Sequence, residues 1–156
     1  EPPPYFLKGG SIFMKQNVDD SIQSTQDLNN TFTMITAFSS SDENAEGYIL
    51  GSSNYEEQYI YDHCVLKNCL IQIKAFYGND NLLKIEATNQ EQVDNIFINE
   101  IYLMGVPPGE KKKVVLENSS SPNFDITLEI LKSGTIHLKF PDLIIGNNVL
   151  HNFIFS

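Results

Sequence analysis

Arginine is missing from this sequence: all ten basic residues are lysines, and they stand against 20 acidic residues for a net charge of −10. The planar arginine side chain is well suited to gripping phosphate and carboxylate groups. Proteins that bind nucleic acid or anionic membranes present a basic surface. We therefore expect neither nucleic acid nor a membrane as a partner. The one basic run, residues 111–113, is interpreted as a solvated loop.

Long apolar runs and helical patterns are missing too. No segment reaches the ~20 apolar residues that cross a bilayer, and none repeats its apolar residues at the helical period over the length of a helix. Residues 1–4 (EPPP) lack the basic and apolar regions of a signal peptide, so we expect a removed signal or a start inside a longer precursor. With 41% hydrophobic residues among 156, the chain is expected to fold as one domain or two small modules.

The sequence does contain β-strand patterns throughout. Residues 69–76 alternate apolar and polar side chains, residues 78–81 are turn residues, and residues 82–88 complete a hairpin. Similar segments recur about every 8–12 residues, which is typical of a β-sandwich. We predict an all-β chain of antiparallel β-sandwich modules, with a small proximal module over 1–60 and a distal β-sandwich over 61–156. The other predicted strands are 11–14, 31–38, 47–50, 55–61, 93–104, 113–117, 124–131, 135–140 and 149–155.

Cysteine is scarce, with only Cys64 and Cys69. A disulfide between them requires their Cα atoms to approach to ~5.5 Å across a turn. His63 suggests zinc, but a structural zinc site needs four ligands and no second Cys/His cluster exists. We favour the disulfide over free buried thiols, and both over a metal. A disulfide implies the secretory pathway, with a lysosomal, vacuolar or extracellular destination, and the glycosylation tripeptides at Asn29 and Asn118 agree with it.

Candidate catalytic groups are few. The adjacent acidic pairs are Asp19–Asp20, Asp42–Glu43 and Glu56–Glu57. Neighbours on a strand point to opposite faces, so these pairs do not converge on a substrate. The histidines sit singly, as His63, His137 and His151, and no serine occupies a nucleophile elbow. Residues 42–44 and 79–81 offer oxygen ligands for calcium but form no twelve-residue calcium loop. We predict no catalytic, cofactor-binding or metal-binding residue.

Tryptophan, the residue on which sugar-binding β-sandwiches often stack their ligand, is absent. Tyrosine is the available substitute, and we first interpret the tyrosines as strand residues with surface hydroxyls. A sugar-binding surface is the alternative interpretation. The candidates are Tyr48, Tyr55, Tyr59, Tyr61, Tyr77 and Tyr102.

Five short segments occur in an order that resembles a known family. The first three are residues 7–14 (LKGGSIFM), 32–38 (FTMITAF) and 42–49 (DENAEGYI). They resemble the segment in which glycoside hydrolase family 31, the α-glucosidase family, leaves its catalytic barrel and enters its C-terminal β-domains. Residues 98–107 (INEIYLMGVP) resemble part of the distal domain, and residues 150–153 (LHNF) resemble the terminal strand of eukaryotic members. The resemblance covers nearly the whole chain.

Three departures indicate a divergent member. Lys8 stands where the family has arginine, and Met14 stands where it has proline. Residues 50–54 (LGSSN) replace a stretch in which the family carries two adjacent aspartates. Whether the parent enzyme is active is left open by these changes.

The resemblance implies a non-catalytic C-terminal β-region, present as a processed chain or a fragment. Family members cleave α-glucosidic bonds with two barrel aspartates in a retaining mechanism, and the barrel is not in this chain. The implied partner is the catalytic barrel of the same precursor, against which an apolar patch is expected to lie. The α-glucoside substrate is met only indirectly, and no cofactor is implied. The alternatives are a stand-alone carbohydrate-binding β-sandwich and a structural extracellular β-sandwich.

Overall fold

A computed structural model describes residues 8–17, 31–39, 43–50, 70–78, 81–90, 96–106, 111–117 and 124–156. These residues form ten β-strands, which confirms the predicted all-β class. No helix capable of spanning a bilayer occurs in this part of the chain. The strands are β1 (Ser11–Gln16), β2 (Thr31–Ala37), β3 (Asn44–Leu50), β4 (Leu70–Tyr77), β5 (Leu82–Thr88), β6 (Phe97–Met104), β7 (Val114–Leu116), β8 (Thr127–Ile130), β9 (Ile136–Ile144) and β10 (Val149–Phe155).

All ten strands belong to one sheet, in the order β7-β10-β5-β4-β3-β1-β2-β6-β9-β8. Neighbours are antiparallel except for two parallel pairs, β1 with β3 and β2 with β6. The sheet is therefore mixed, and it nearly closes on itself. The parallel pairs place the first three strands in the middle of the sheet, between the strands that follow them in sequence.

Aromatic contacts show how the two halves of the sheet face each other. Phe140 on β9 and Phe153 on β10 lie near opposite edges of the sheet, yet their ring centroids are 5.5 Å apart. Phe38, just after β2, lies 6.4 Å from Tyr77 on β4 in the same way. The inward residues of the two halves form one hydrophobic core. Burying one large aliphatic side chain there contributes about 1.5–3 kcal/mol.

Two glycines lie where the central strands come closest. A Cβ on Gly47 of β3 would overlap the carbonyl oxygen of Ile12 on β1. Gly105 follows β6 with φ of +79°, and a Cβ there would overlap the carbonyl oxygen of Phe38. Both glycines belong to segments that carry the family resemblance. Their presence has a local physical reason, because no side chain fits at either position.

Strand β9 is longer than the predicted strand 135–140 and continues through Pro141 to Ile144. Its register with β6 shifts, so that Lys139 lies opposite Glu100 and Leu143 opposite Ile98. More residues of β9 than of β6 therefore lie between these two pairs. Proline lacks the N–H that a regular ladder needs, and such an irregularity accommodates it.

Several predictions concern residues outside the described part of the chain. They include the strand at 55–61, the Cys64–Cys69 disulfide and the glycosylation sites Asn29 and Asn118. The division into modules 1–60 and 61–156 also stays a prediction, because residues 51–69 are outside the described ranges. On either side of that boundary, β3 and β4 pair antiparallel over seven positions.

Candidate functional site

A group of interacting titratable side chains surrounds Glu100 on the outer face of the sheet. Strand β6 carries Glu100 between β2 and β9, and its neighbours Ile101 and Leu103 point into the core. The pairing register places Glu100 beside Thr33 and Tyr102 beside His137. We call this group the Glu100 cluster; its members are Thr33, Glu100, Tyr102, Glu129 and His137.

Glu100 accepts hydrogen bonds from both flanking strands and from its own. The Nε2 of His137 lies 2.5 Å from Glu100 Oε1 and donates to it, and the hydroxyl of Tyr102 donates to the same oxygen at 3.1 Å. Thr33 Oγ1 lies 3.3 Å from Glu100 Oε2 and 2.7 Å from Asn17 Oδ1, and its single proton serves one of them at a time. The rings of His137 and Tyr102 stack with centroids 4.3 Å apart.

The protonation states in the cluster follow from these contacts. Burial raises the pKa of Glu100, but the hydrogen bonds from His137, Tyr102 and Thr33 and the charge interaction with His137 outweigh it. The pKa of Glu100 therefore lies below its ordinary value. Burial, followed by the bond to Glu100 and the charges of Glu100 and Glu129, raises the pKa of Tyr102. At neutral pH the carboxylate is a charged acceptor and the phenol a neutral donor.

The geometry of the cluster does not suit glycoside hydrolysis. Retaining glycosidases hold two carboxyl groups roughly 5–5.5 Å apart with the glycosidic bond between them. Here the imidazole of His137 fills the space between the two carboxylates, with Glu129 Oε2 3.7 Å from its Nδ1. The oxygens of Glu100 are already engaged by donors from β2, β6 and β9. The hydrogen bonds to Glu100 join three strands, β2, β6 and β9. Each charged hydrogen bond contributes about 1.5–3 kcal/mol.

The catalytic and metal candidates of the sequence are mostly dispersed or outside the described ranges. Of the acidic pairs only Glu43 is described, and its backbone oxygen accepts from the Tyr77 amide at 3.1 Å. His137 belongs to the Glu100 cluster, while His151 Nε2 lies 2.6 Å from the carbonyl oxygen of Ile144. Within the described ranges, no three His, Cys, Asp or Glu side chains lie close enough together to hold a metal.

The described tyrosines take three different roles. Tyr77 is buried, and its ring packs 5.6 Å from that of Phe155. Tyr102 belongs to the Glu100 cluster. Tyr48 has 56% of its surface exposed, on the outer face of β3. Of the described tyrosines that were sugar-contact candidates, Tyr48 alone presents a largely open ring.

Tyr48 lies in a shallow groove that crosses β3, β4 and β5, which we call the outer groove. Pairing places Tyr48, Gln72 and Thr88 in one row across the three strands, and Glu46, Lys74 and Glu86 in the next. Three open cavities lie along this face, with volumes of about 290, 360 and 390 Å³. The Gln72 amide donates to the Tyr48 hydroxyl at 3.2 Å and lies 3.5 Å from Glu46 Oε2.

A short row of aliphatic side chains lies at the other end of the same face. Ile154 on β10 is paired with Leu82 on β5 and with Val115 on the edge strand β7. Ile154 and Val115 are exposed, and Leu82 is half-buried. We call these three residues the apolar row. Adjacent exposed aliphatics of this kind are candidates for contact with another protein surface.

Sequence reasoning missed the Glu100 cluster, although one signal was present. Asn99 and Glu100 interrupt an otherwise apolar segment, residues 96–104, and the structure shows Glu100 half-buried. A charged side chain inside such a strand needs a partner, because burying an unpaired charge is costly. The partner, His137, is distant in sequence, so only the pairing of β6 with β9 reveals it.

No protein-family model and no curated protein sequence matches the chain. Solved structures do match. A crystal structure of Tris-bound glucosidase II alpha subunit superposes with a TM-score of 0.58 and 16% identity, covering 95% of this chain and 16% of that one. Two further structures superpose with TM-scores of 0.55 at 15% identity, covering 95% of this chain and 17% of theirs. They are an ER glucosidase II heterodimer of the catalytic subunit with the binding domain of the regulatory subunit, and a Glc1Man2-bound alpha subunit.

At this low identity the likeness shows the fold alone. The described chain has the fold of a segment of the glucosidase II alpha subunit, and it spans only 16–17% of the length of those chains.

Proposed function

We propose that this chain is a non-catalytic C-terminal β-domain segment, as a processed chain or a fragment, of a family 31 α-glucosidase-like glycoside hydrolase. The superposition of 95% of the chain on glucosidase II alpha subunits carries this proposal. The order of segments 7–14, 32–38 and 42–49 points to the same family through the residues themselves.

The proposed role is mechanical. In the longer enzyme, the barrel would hydrolyse the α-glucosidic bond and this segment would support it, so that the substrate is met only indirectly. The Glu100 cluster supports this division of labour, because its carboxylates bind strands together. Bonds of this kind between strands are expected to make the sheet more rigid.

The proposed partner is the catalytic barrel of the same precursor, and the apolar row is its proposed contact. Exposed Ile154 and Val115 lie side by side on this face, whereas the exposed Leu150 lies opposite a charged residue, Glu86. Covering them with a partner removes apolar surface from water, which stabilises a complex by roughly 25 cal/mol per Å² before the costs of association.

The proposed location is the secretory pathway, with a lysosomal, vacuolar or extracellular destination. One structural neighbour is an ER enzyme by its name, and the chain carries glycosylation tripeptides at Asn29 and Asn118. A Cys64–Cys69 disulfide belongs to the same proposal. Peptide mass spectrometry of native material, without reduction, tests the disulfide and both glycans together.

The test of the function is isolation of the chain from its native source with an antibody raised against the folded 156-residue chain, followed by an α-glucosidase assay. We expect a species much larger than this chain that hydrolyses an aryl α-glucoside, while the purified 156-residue chain does not. Recovery of the chain as a single species of its own mass, without a partner and without hydrolase activity, would refute the proposal.

A further inference from the structure

The outer groove has the features of a ligand site that the mechanical role does not use. An exposed aromatic ring lies in the middle of a sheet face, flanked by amide, carboxylate and hydroxyl side chains from three strands. We propose that the outer groove binds a neutral oligosaccharide, with the Tyr48 ring as the platform on which one pyranose ring stacks. This proposal does not depend on a catalytic partner.

The position of Tyr48 supports stacking. Its side chain is 56% exposed, and the bond from Gln72 to its hydroxyl restrains the ring. An aromatic side chain loses little conformational freedom on binding, and its face offers a flat apolar surface. The apolar C–H face of a pyranose is the complementary shape, and its ring hydroxyls remain free at the edge.

The surrounding side chains suit a ligand rich in hydroxyl groups. Gln72 brings an amide group, Thr88 a hydroxyl and Glu46 a carboxylate, so donors and acceptors both surround the ring, and Asn89 and the exposed Leu70 also line the groove. Asn89 is held in place, because its backbone amide donates to Asn148 Oδ1 at 3.0 Å. The cavity at Tyr48 has a volume of about 290 Å³, near the lower limit of small-molecule sites.

The charges of the face favour a neutral ligand. Glu46, Lys74 and Glu86 alternate in sign across the three strands, and with Lys84 the described outward side chains of β3, β4 and β5 carry two positive and two negative charges. The chain as a whole carries a net charge of −10. The described charges in the outer groove therefore cancel, and the groove has no excess charge to attract a cation. The net negative charge of the whole chain repels anions.

The outer groove and the apolar row are far enough apart to be used together. Thr88 lies at one end of β5 and Leu82 at the other, which at 3.4 Å per residue is about 20 Å. A protein contact centred on the apolar row and less than about 20 Å in radius therefore leaves Tyr48 open.

The experiment is an NMR titration of the isotope-labelled full chain with maltohexaose, cellohexaose and mannohexaose as neutral probes, and hexagalacturonate as the anionic control. We expect saturable shifts with at least one neutral probe, confined to the amides of residues 46–48, 72–74 and 86–90, and none with the anionic control. Tyr48→Ala is expected to weaken the association constant about tenfold, and Tyr48→Phe to retain most of it.

The matched control is Ile130→Ala, because Ile130 is a similarly exposed apolar side chain at 48% but lies on the edge strand β8, far from the groove in the strand order. It should bind as the parent chain does. The proposal is overturned if no neutral probe gives saturable shifts at millimolar concentration, or if Tyr48→Ala binds as tightly as the parent. Either outcome leaves the proposed mechanical function untouched, because that function needs no sugar on this face.

Discussion

At the scale of single residues, Glu100 shows how one half-buried charge organises its surroundings. It lies on a central strand, and donors from β2, β6 and β9 converge on its two oxygens. Removing one partner of such a group costs more than the bond contributes, because the other partner is left unsatisfied. The outer face of β6 therefore depends on the ionised state of a single carboxylate.

We predict that Glu100→Gln lowers the free energy of unfolding by about 1–3 kcal/mol at neutral pH. The pKa of Glu100 is depressed in the folded chain, so its stabilisation is complete above the unfolded pKa and disappears as the pH falls through the folded pKa. The difference between parent and variant should therefore shrink on acidification. Urea unfolding across a series from neutral to acidic pH measures it.

Glu129→Gln is the control for this experiment. Its carboxylate is 64% exposed, against 25% for Glu100, and stands 3.7 Å from His137. Exposed pairs contribute little, so the change should be below about 1 kcal/mol. If Glu129→Gln lowers the free energy of unfolding as much as Glu100→Gln does, this account of the cluster is contradicted. It is also contradicted if the effect of Glu100→Gln does not change with pH.

At the residue scale, the sequence predicted which side-chain types could form a site better than it predicted what each side chain contacts. Tyr48 was a candidate sugar contact from its residue type alone, but Tyr77, grouped with it, is buried against Phe155. Residue type does not separate the two, but local alternation does, since Tyr77 is in phase with Ile73 and Ala75 and Tyr48 is in phase with Glu46. Which face a tyrosine occupies depends on which side of its strand meets the core, and that is decided by the fold.

At the scale of elements, we expect the contact between β1 and β3 to tolerate substitution least in the sheet. The amide of Glu46 donates to the carbonyl oxygen of Gly10 at 3.0 Å, and the amide of Gly10 donates to Ala37 at 2.7 Å. Gly47 follows directly, where the backbone of Ile12 leaves no room for a Cβ. The segments that suggested the family are thus the segments in which three strands meet.

We predict that Gly47→Ala destabilises the chain by about 3 kcal/mol or more, because the added methyl group meets backbone and not a movable side chain. Gly134→Ala is the matched control. Gly134 has φ of +88° but nothing within 4 Å of an added Cβ, so it tests backbone strain without a clash. We expect about 1–2 kcal/mol there. Thermal unfolding compares the two, and a Gly47→Ala change no larger than the control would contradict the packing argument.

The positions of the strands were predictable, while their pairing was not. The predicted strand 82–88 agrees with β5, and 69–76 differs from β4 by one residue at each end. Alternation of period two looks the same in parallel and antiparallel strands, so the parallel pairs of β1 with β3 and β2 with β6 left no local trace. The extension of β9 through Pro141 was hidden for a similar reason, since the bulge depends on its partner strand.

At the scale of the whole molecule, the sheet nearly closes around an apolar core, and its outer faces carry both polar and apolar side chains. The Glu100 cluster links β2, β6, β8 and β9 on one outer face. The outer groove and the apolar row lie on another, at opposite ends of β5. The sheet therefore presents surfaces for a neighbouring domain and for a ligand. Among the described residues, no pair of groups is arranged for hydrolysis.

We predict that the double variant Val115→Thr/Ile154→Thr keeps the stability of the chain within about 1 kcal/mol, because threonine also favours strands and both side chains are exposed. It should nevertheless lose retention of the catalytic partner in co-purification. Leu150→Thr is the control, since Leu150 is exposed on the same strand but lies opposite Glu86, outside the apolar row. Equal retention by the double variant and the control would exclude the apolar row as the contact.

The proposed function was accessible from sequence only through resemblance. Composition and periodicity predicted an all-β chain and no more, since many unrelated proteins share that pattern. Short segments such as 7–14 and 42–49 added the order of a particular family. The groove around Tyr48 required the structure, because its lining residues come from three strands that are separated in sequence.

The most direct test of the central claim is the sequence of the native transcript upstream of the codon for Glu1. The account predicts a continuous reading frame that encodes a family 31 barrel with its two catalytic aspartates before this segment. A start codon or a signal sequence immediately before Glu1, with no barrel encoded, would contradict it.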